Sequence, residues 1–322
     1  MGGAASARST PGALGLTTLG VVTLGAGALA WSFVEAQWFT LRRVTVPVLP
    51  AGTTPLRVLH VSDLHLVPRQ ERKRAWVRGL ADLEPDVVVN TGDNLAHRDA
   101  VPAALDALGP LLDVPGAFVL GSNDYFVPRP RNPSRYLLRD PRAKGIADTA
   151  ELPVEDMTAA MRSAGWRDLT NRRDELVVRG VRIRLVGVDD PHLDRDRFPA
   201  PDAPDAVGDD DGALPTLRLG VAHAPYRRVL NAMLADGTDL VLAGHTHGGQ
   251  LCVPFVGALV TNCDLDRGRA KGVSGWPGAR PDEPGGEDSM WLHVSAGLGT
   301  SPFTPVRFAC RPEATLLELV PR

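Results

Sequence analysis

A chain of 322 residues is long enough for one large α/β domain or two ordinary ones, and too long for a small scaffold held together by disulfides. With 43% hydrophobic, 23% charged and 5% aromatic residues, it is not wholly disordered, collagen-like or a multi-span membrane protein. Its 35 basic and 38 acidic side chains leave a net charge of −3, so no global cationic field gathers nucleic acid, and no nucleic-acid partner is expected. Cys252, Cys263 and Cys310 are odd in number and lack CxxC spacing, so they imply neither a zinc ribbon nor a complete disulfide framework. They read as buried thiols, with a Cys252–Cys263 bridge as the alternative in an oxidising compartment.

The first feature in chain order is apolar. From Ser9 to Val34 there are 26 residues without a charge, and the run from Ala13 to Val34 has the length to cross about 30 Å of hydrocarbon. Trp31, Phe33, Trp38 and Phe39 and then Arg42 and Arg43 follow in the order of an aromatic interface belt and its cationic anchors. A single-pass membrane anchor over 13–34, after a tail over 1–12, is the leading expectation. A cleavable export signal is the alternative, because Ala28-Leu29-Ala30 supplies a small-x-small site. Flanking cations are too evenly divided to fix the side of the membrane.

Residues 35–55 read as a Pro-punctuated linker, and 56–322 as one domain in which β-like runs alternate with amphipathic stretches, the pattern of a layered α/β fold. Strands are expected over Leu56–Val61, Asp86–Asn90, Gly116–Leu120, Glu175–Val188, Thr216–Ala222, Asp239–Ala243, Trp291–Ser295 and Ala314–Val320. Helices are expected over Gln70–Leu83, Ala100–Leu111, Pro153–Ala164 and Tyr226–Ala235. Three segments interrupt the alternation as surface loops: the cationic Pro128–Ala147, the acidic Pro199–Pro215 and the Gly- and Pro-rich Pro277–Ser289. The first is a candidate contact for an anionic substrate or headgroup.

Metal-capable side chains fall just past five of these strands. Asp63 and His65 follow LRVLHV, Asp93 and Asn94 follow DVVVNTG, Asn123 and Asp124 follow AFVLGS, His223 follows LRLGVA, and His245 and His247 follow DLVLAG. Strand ends in an α/β sheet converge on one crevice, so residues far apart in sequence can share one site. Asp, His and Asn donors without thiolate suit Mn, Fe, Zn or Mg, and so many donors exceed what one ion needs. Two divalent ions that clamp a phosphoryl group and activate a hydroxide follow from that count.

Taken together, D-x-H (Asp63 to His65), G-D-N (Gly92 to Asn94), the turn Gly121 to Asp124, the lone His223 and G-H-T-H-G-G-Q (Gly244 to Gln250) resemble the calcineurin-like metallophosphoesterases. The similarity is to the bacterial branch with a membrane or export segment ahead of the catalytic domain. It implies a four-layer αββα sandwich with two mixed β-sheets, preceded here by one transmembrane helix. By the same resemblance Asp63, His65 and His247 would hold one metal, Asn123, His223 and His245 the other, and Asp93 would bridge them. Asp93, Asn123 and His223 are the catalytic candidates; Asn94, His97, Asp190 and His192 are candidates for the substrate side of the crevice.

One turn departs from the family. Gly-Asn-His-Asp is replaced by Gly121-Ser122-Asn123-Asp124, so the histidine that protonates the leaving group is missing, and either Asn123 or Ser122 must serve as the metal ligand. A carboxamide is no general acid near neutral pH, which predicts weak activity on esters with poor leaving groups. The expected function is hydrolysis of a phosphomonoester, phosphodiester or pyrophosphate bond, with a lipid-linked or nucleotide-sugar substrate in view. The alternative is a catalytically weak metal- and phosphate-binding sensor or scaffold. His60 and His293 lie inside β-runs and read as structural; Arg307 reads as a phosphate contact or an exposed structural arginine.

Overall fold

The computed structural model describes residue 23 and residues 25–130, 150–200 and 214–322. Half of the apolar run 13–34, the cationic loop from 131 on and the acidic loop over 201–213 lie outside the described residues. Among the described residues no helix is long and apolar enough to cross a membrane.

Two six-stranded mixed sheets stack face to face. The first has the order β1 (Thr40–Leu49), β14 (Glu313–Pro321), β2 (Leu56–Val61), β3 (Val87–Asn90), β4 (Gly116–Phe118), β5 (Arg167–Asp168). Strands β2 to β5 run parallel, β14 runs against β2, and β1 lies parallel to β14. The second sheet has the order β12 (Gly272–Trp276), β13 (Met290–Val294), β9 (Leu240–Ala243), β8 (Thr216–Ala222), β7 (Val181–Gly187), β6 (Arg173–Val178), with β13, β9, β8 and β7 parallel. A short ribbon, β10 (Cys252–Val253) with β11 (Gly257–Ala258), stands apart from both sheets.

The layers follow from the two-residue period of the strands. Leu56 and Val58 of β2, Val87 and Val89 of β3, Leu217 and Leu219 of β8, and Leu240 and Leu242 of β9 point between the sheets and form one core. Alternate residues Leu59 and Val61 of β2 and Val88 of β3 point outward and pack under α2 (Glu71–Arg78), α3 (Val101–Leu108) and α4 (Val154–Ser163). Val241 of β9 and Leu292 of β13 do the same under α5 (Arg227–Ala235). Strands buried on both faces read as unbroken apolar runs such as VVVN, which is how parallel strands covered by helices are recognised. The result is the expected four-layer αββα sandwich.

Three segments differ from their sequence reading. Residues 40–49, read as part of a linker, are β1, whose Val46, Val48 and Leu49 are buried in the core between the sheets. Glu175–Val188, read as one strand, is the β6–β7 hairpin; Arg179 and Gly180 both take positive φ (49° and 80°), as a tight two-residue turn requires. Arg-Gly lacks the Asn-Gly or Asp-Gly signal that would have marked it. Helix α1 (25–35) packs on the domain through Ser32, Glu35 and Ala36: Ser32 O accepts from Arg307 N (2.9 Å), and the Glu35 carboxylate accepts from the amides of Ala309 (3.0 Å) and Cys310 (2.7 Å).

Candidate metal centre

The ends of β2, β3, β4, β8 and β9 open on the same side of the sandwich, and each carries one of the polar clusters read from the sequence. Chain reversal at a strand end puts the next residues in unusual backbone geometry. Asp63, His65, Asp93, His245 and His247 all have positive φ, between 43° and 71°. Non-glycine residues seldom adopt that region, and each costs on the order of 1 to 3 kcal/mol. Five such residues at one place mark a site where side-chain direction outranks backbone comfort. Two glycines let the loops close: a Cβ on Gly121 would lie 2.3 Å from Asp93 Oδ1, and one on Gly244 would lie 2.0 Å from Ser62 Oγ.

The side chains form two overlapping donor groups. Asp63, His65 and His247 present ligand atoms within 4.8 Å of one another, and so do Asp63, Asp93 and His223. His65 Nε2 and His247 Nε2 are 3.1 Å apart. Asp93 Oδ2 sits 3.4 Å from His65 Nε2 and 3.5 Å from His223 Nε2, between the two groups. His245 stands beside the second group, with Nδ1 3.3 Å from His223 Nε2 and Nε2 3.1 Å from Asn262 O. Asn123 reaches Asp93 through its side-chain amide and its backbone N–H.

This donor set fits divalent ions. Asp63 and Asp93 are buried, and their ion-pair partners are imidazoles. Burial pushes the Asp63 carboxyl up to about 6, while it holds His65 down to about 4 and His247 well below the ordinary imidazole value. Burial also opposes charge on Asp93, yet His223 and His65 beside it hold its carboxyl at about 2. His223 is driven up instead, to about 9: burial opposes its charge, and Asp93, Asp190 and Asp63 outweigh that burial. Divalent-ion ligation needs neutral imidazoles and ionised carboxylates, so His65 and His247 are held in the ligand state, and a bound ion would displace the proton that the carboxylates hold on His223.

Supporting residues hold the ligands. Asp124 accepts from the backbone amides of Asp93 (2.8 Å), Gly121 (3.0 Å) and Asn94 (2.7 Å), tying the β3 loop to the β4 loop. A buried chain of hydrogen bonds ends on Asp63. Its direction is fixed because a carboxylate only accepts: Ser62 Oγ donates to Asp63, Thr91 Oγ1 to Ser62 Oγ (2.6 Å), His60 Nε2 to Thr91 Oγ1 (2.9 Å), and His293 Nδ1 to His60 Nδ1 (2.9 Å). Ser62 and Thr91 were not singled out from the sequence; their signal is a hydroxyl placed just before D-x-H and G-D-N.

Of the substrate-side candidates, Asp190 and His192 reach the centre. Asp190 is fully buried, its Oδ1 accepts from His192 N (2.8 Å), its Oδ2 has no partner, and burial raises its carboxyl to about 7. The His192 ring lies 4.7 Å from that of His245, and its Nδ1 is 3.1 Å from Tyr226 Oη. Asn94 is closed instead on Asn90 through two amide hydrogen bonds (2.8 and 3.2 Å). His97 is exposed and turned to the Asp99 amide (3.1 Å). Arg307 is fully buried, not exposed, and donates to the carbonyls of Ala296 (2.8 Å), Gly297 (3.1 Å), Gly299 (2.6 Å) and His247 (3.3 Å). No disulfide joins the three cysteines, and all three are buried.

The sequence profile of calcineurin-like phosphoesterases matches residues 56–249, the stretch that supplies every donor above. The chain belongs to this family. It is a metallophosphoesterase, a hydrolase of phosphate esters, with Asp and His residues that could hold metal. It is 28% identical over 309 residues to the phosphodiesterase YaeI of Escherichia coli (strain K12), covering 94% of this chain and 96% of that one. It is 26% identical over 351 residues to the UDP-2,3-diacylglucosamine pyrophosphatase LpxG of Chlamydia trachomatis serovar D, covering 94% and 97%. A transmembrane protein with a metallophosphoesterase domain from Danio rerio is 30% identical over 239 residues, which are 70% of this chain and 48% of that protein.

Proposed function

We propose that this metallophosphoesterase uses two divalent ions to hydrolyse a phosphodiester or pyrophosphate bond of a lipid-linked or nucleotide-sugar substrate. The observation that carries it is the overlap of two donor groups on Asp63, with Asp93 between His65 and His223. Asp63, His65 and His247 hold one ion; Asp93, His223, His245 and Asn123 hold the other, with Asp93 shared. When bound, the ions supply Lewis acidity and a nucleophile drawn from water at neutral pH. Asp190, His192 and Tyr226 line the approach beside His245 and orient the leaving group. The substrate class is supported by relatives named as a phosphodiesterase and a UDP-2,3-diacylglucosamine pyrophosphatase that match nearly their whole length.

Asn123 stands where the family's acid stands and cannot donate a proton readily, which restricts the reaction to leaving groups that depart without one. That same residue favours the second reading, a metal- and phosphate-binding protein with little turnover. In the membrane reading, residues 13–34 anchor the chain in the cell membrane and 56–322 act at its surface. The test is hydrolysis of bis- and mono-p-nitrophenyl phosphate by the full chain, stripped of metal and reloaded with Mn²⁺, beside Asp93→Ala. Metal-dependent turnover lost in the variant is expected; two bound ions with no turnover on either ester would establish the binding reading.

A further inference from the structure

A soluble domain seldom leaves several large apolar side chains on one surface without a purpose. Here they gather on two elements flanking one strip of chain. The tip of the β10–β11 ribbon carries Phe255, fully exposed at 109% relative accessibility, and Val256 at 73%, with Leu251, Val253 and Leu259 exposed at its base. Helix α1 exposes Leu29, Trp31, Phe33 and Val34. Between them runs the segment 307–310. Phe308 O accepts from Cys252 N (2.9 Å) at the root of the ribbon, while Arg307 N and the Ala309 and Cys310 amides bind α1. The same segment touches the centre, since Cys310 Sγ and the Arg307 guanidinium both donate to His247 O.

Two further observations say what covers this surface. Helix α1 is the end of the charge-free stretch Ser9–Val34, so its exposed apolar residues continue a segment without a single charge. Cations stand on the rim: Arg267 and Lys271 are exposed beside the carboxylates of Asp264 and Asp266, Arg267 in a turn that packs on β11, and Arg311 stacks on Trp38 at 3.8 Å. Apolar side chains with flanking cations and tryptophans match the boundary between acyl chains and anionic headgroups. Phe255 holds φ at 66°, a conformation that a bulky side chain keeps only where its direction matters.

We infer that the β10–β11 ribbon inserts Phe255 and Val256 into an anionic phospholipid bilayer beside α1, as a membrane contact of the folded domain itself, which seats the metal centre at headgroup level. The inference rests on the membrane reading above. It explains how a crevice at the strand ends meets a phosphate carried on a lipid.

The test places an environment-sensitive fluorophore on Phe255→Cys in the full chain and, separately, on Val256→Cys and Arg179→Cys. Arg179 is exposed in the β6–β7 turn, at the opposite end of β7 from the site, and the native thiols are buried. Each is mixed with phosphatidylglycerol vesicles carrying brominated acyl chains. Labels at 255 and 256 are expected to shift to the blue and be quenched at least twofold more than the label at 179. Quenching no greater than at 179 overturns the inference. A blue shift already complete without vesicles also overturns it, since the ribbon is then covered by residues 1–22 or by a second copy. Hydrolysis of bis-p-nitrophenyl phosphate, which needs no membrane, is followed in parallel, so failure of the phosphoesterase reading is seen separately.

Discussion

Asn123 grips both oxygens of Asp93: its backbone N–H lies 2.7 Å from Oδ1 and its side-chain amide 2.7 Å from Oδ2. One residue of the β4 loop therefore sets the direction of the carboxylate that stands between the two donor groups. Asp93→Ala removes the proposed shared ligand and leaves His65 and His223 without their nearest carboxylate. The expected result is loss of at least one bound ion by elemental analysis and a fall in turnover on the order of 10³-fold. Retention of both ions and of rate would place the shared role elsewhere.

Restoring the family's turn tests the missing proton. Ser122→Asn with Asn123→His supplies an imidazole beside Asp93, and general-acid help is worth roughly 10²- to 10⁴-fold for a poor leaving group. The double variant is expected to gain most on alkyl phosphate esters and little on p-nitrophenyl esters, whose leaving group needs no proton. Equal gains on both series would show that the substitution acts through metal binding.

Arg307 is a buried cation fixed by four carbonyls, and one of them belongs to His247. Arg307→Met leaves those acceptors unpaired and frees the loop 296–299 that lies against Asp63. Urea unfolding should show a loss of about 3 kcal/mol. Metal content should fall with it, because His247 loses the contact that holds its backbone.

The buried pair His60 and His293 gives a pH dependence with a definite sign. Burial lowers His293 from 6.5 to about 4, so between those values the unfolded chain binds a proton that the folded chain refuses. Its contribution is fully present above pH 6.5 and is lost as the pH falls toward 4, with a slope of about 1.4 kcal/mol per pH unit. His293→Gln should flatten the stability profile by about that slope between pH 6 and 4.5 and leave it unchanged above pH 7. Urea midpoints across this range measure it.

Much of the molecule was legible in the chain. Strands such as DVVVN are buried on both faces and need an unbroken apolar run, so composition alone marks them, and parallel order forces their carboxyl ends to one side. The donors at 63, 65, 93, 223 and 247 followed from that rule. The β1 strand was not legible, because Thr40–Leu49 pairs with a partner at the far end of the chain, and its Pro47 reads as a break. Asn94 and Arg307 carry the same residue types as functional ligands; only packing decides that one closes on Asn90 and the other on backbone carbonyls. Local pattern sets which residues are apolar and where strands end, since those depend on neighbours in sequence. Which polar groups point into one cavity depends on contacts between residues as much as 184 positions apart, such as Asp63 and His247, and those exist only once the two sheets have stacked.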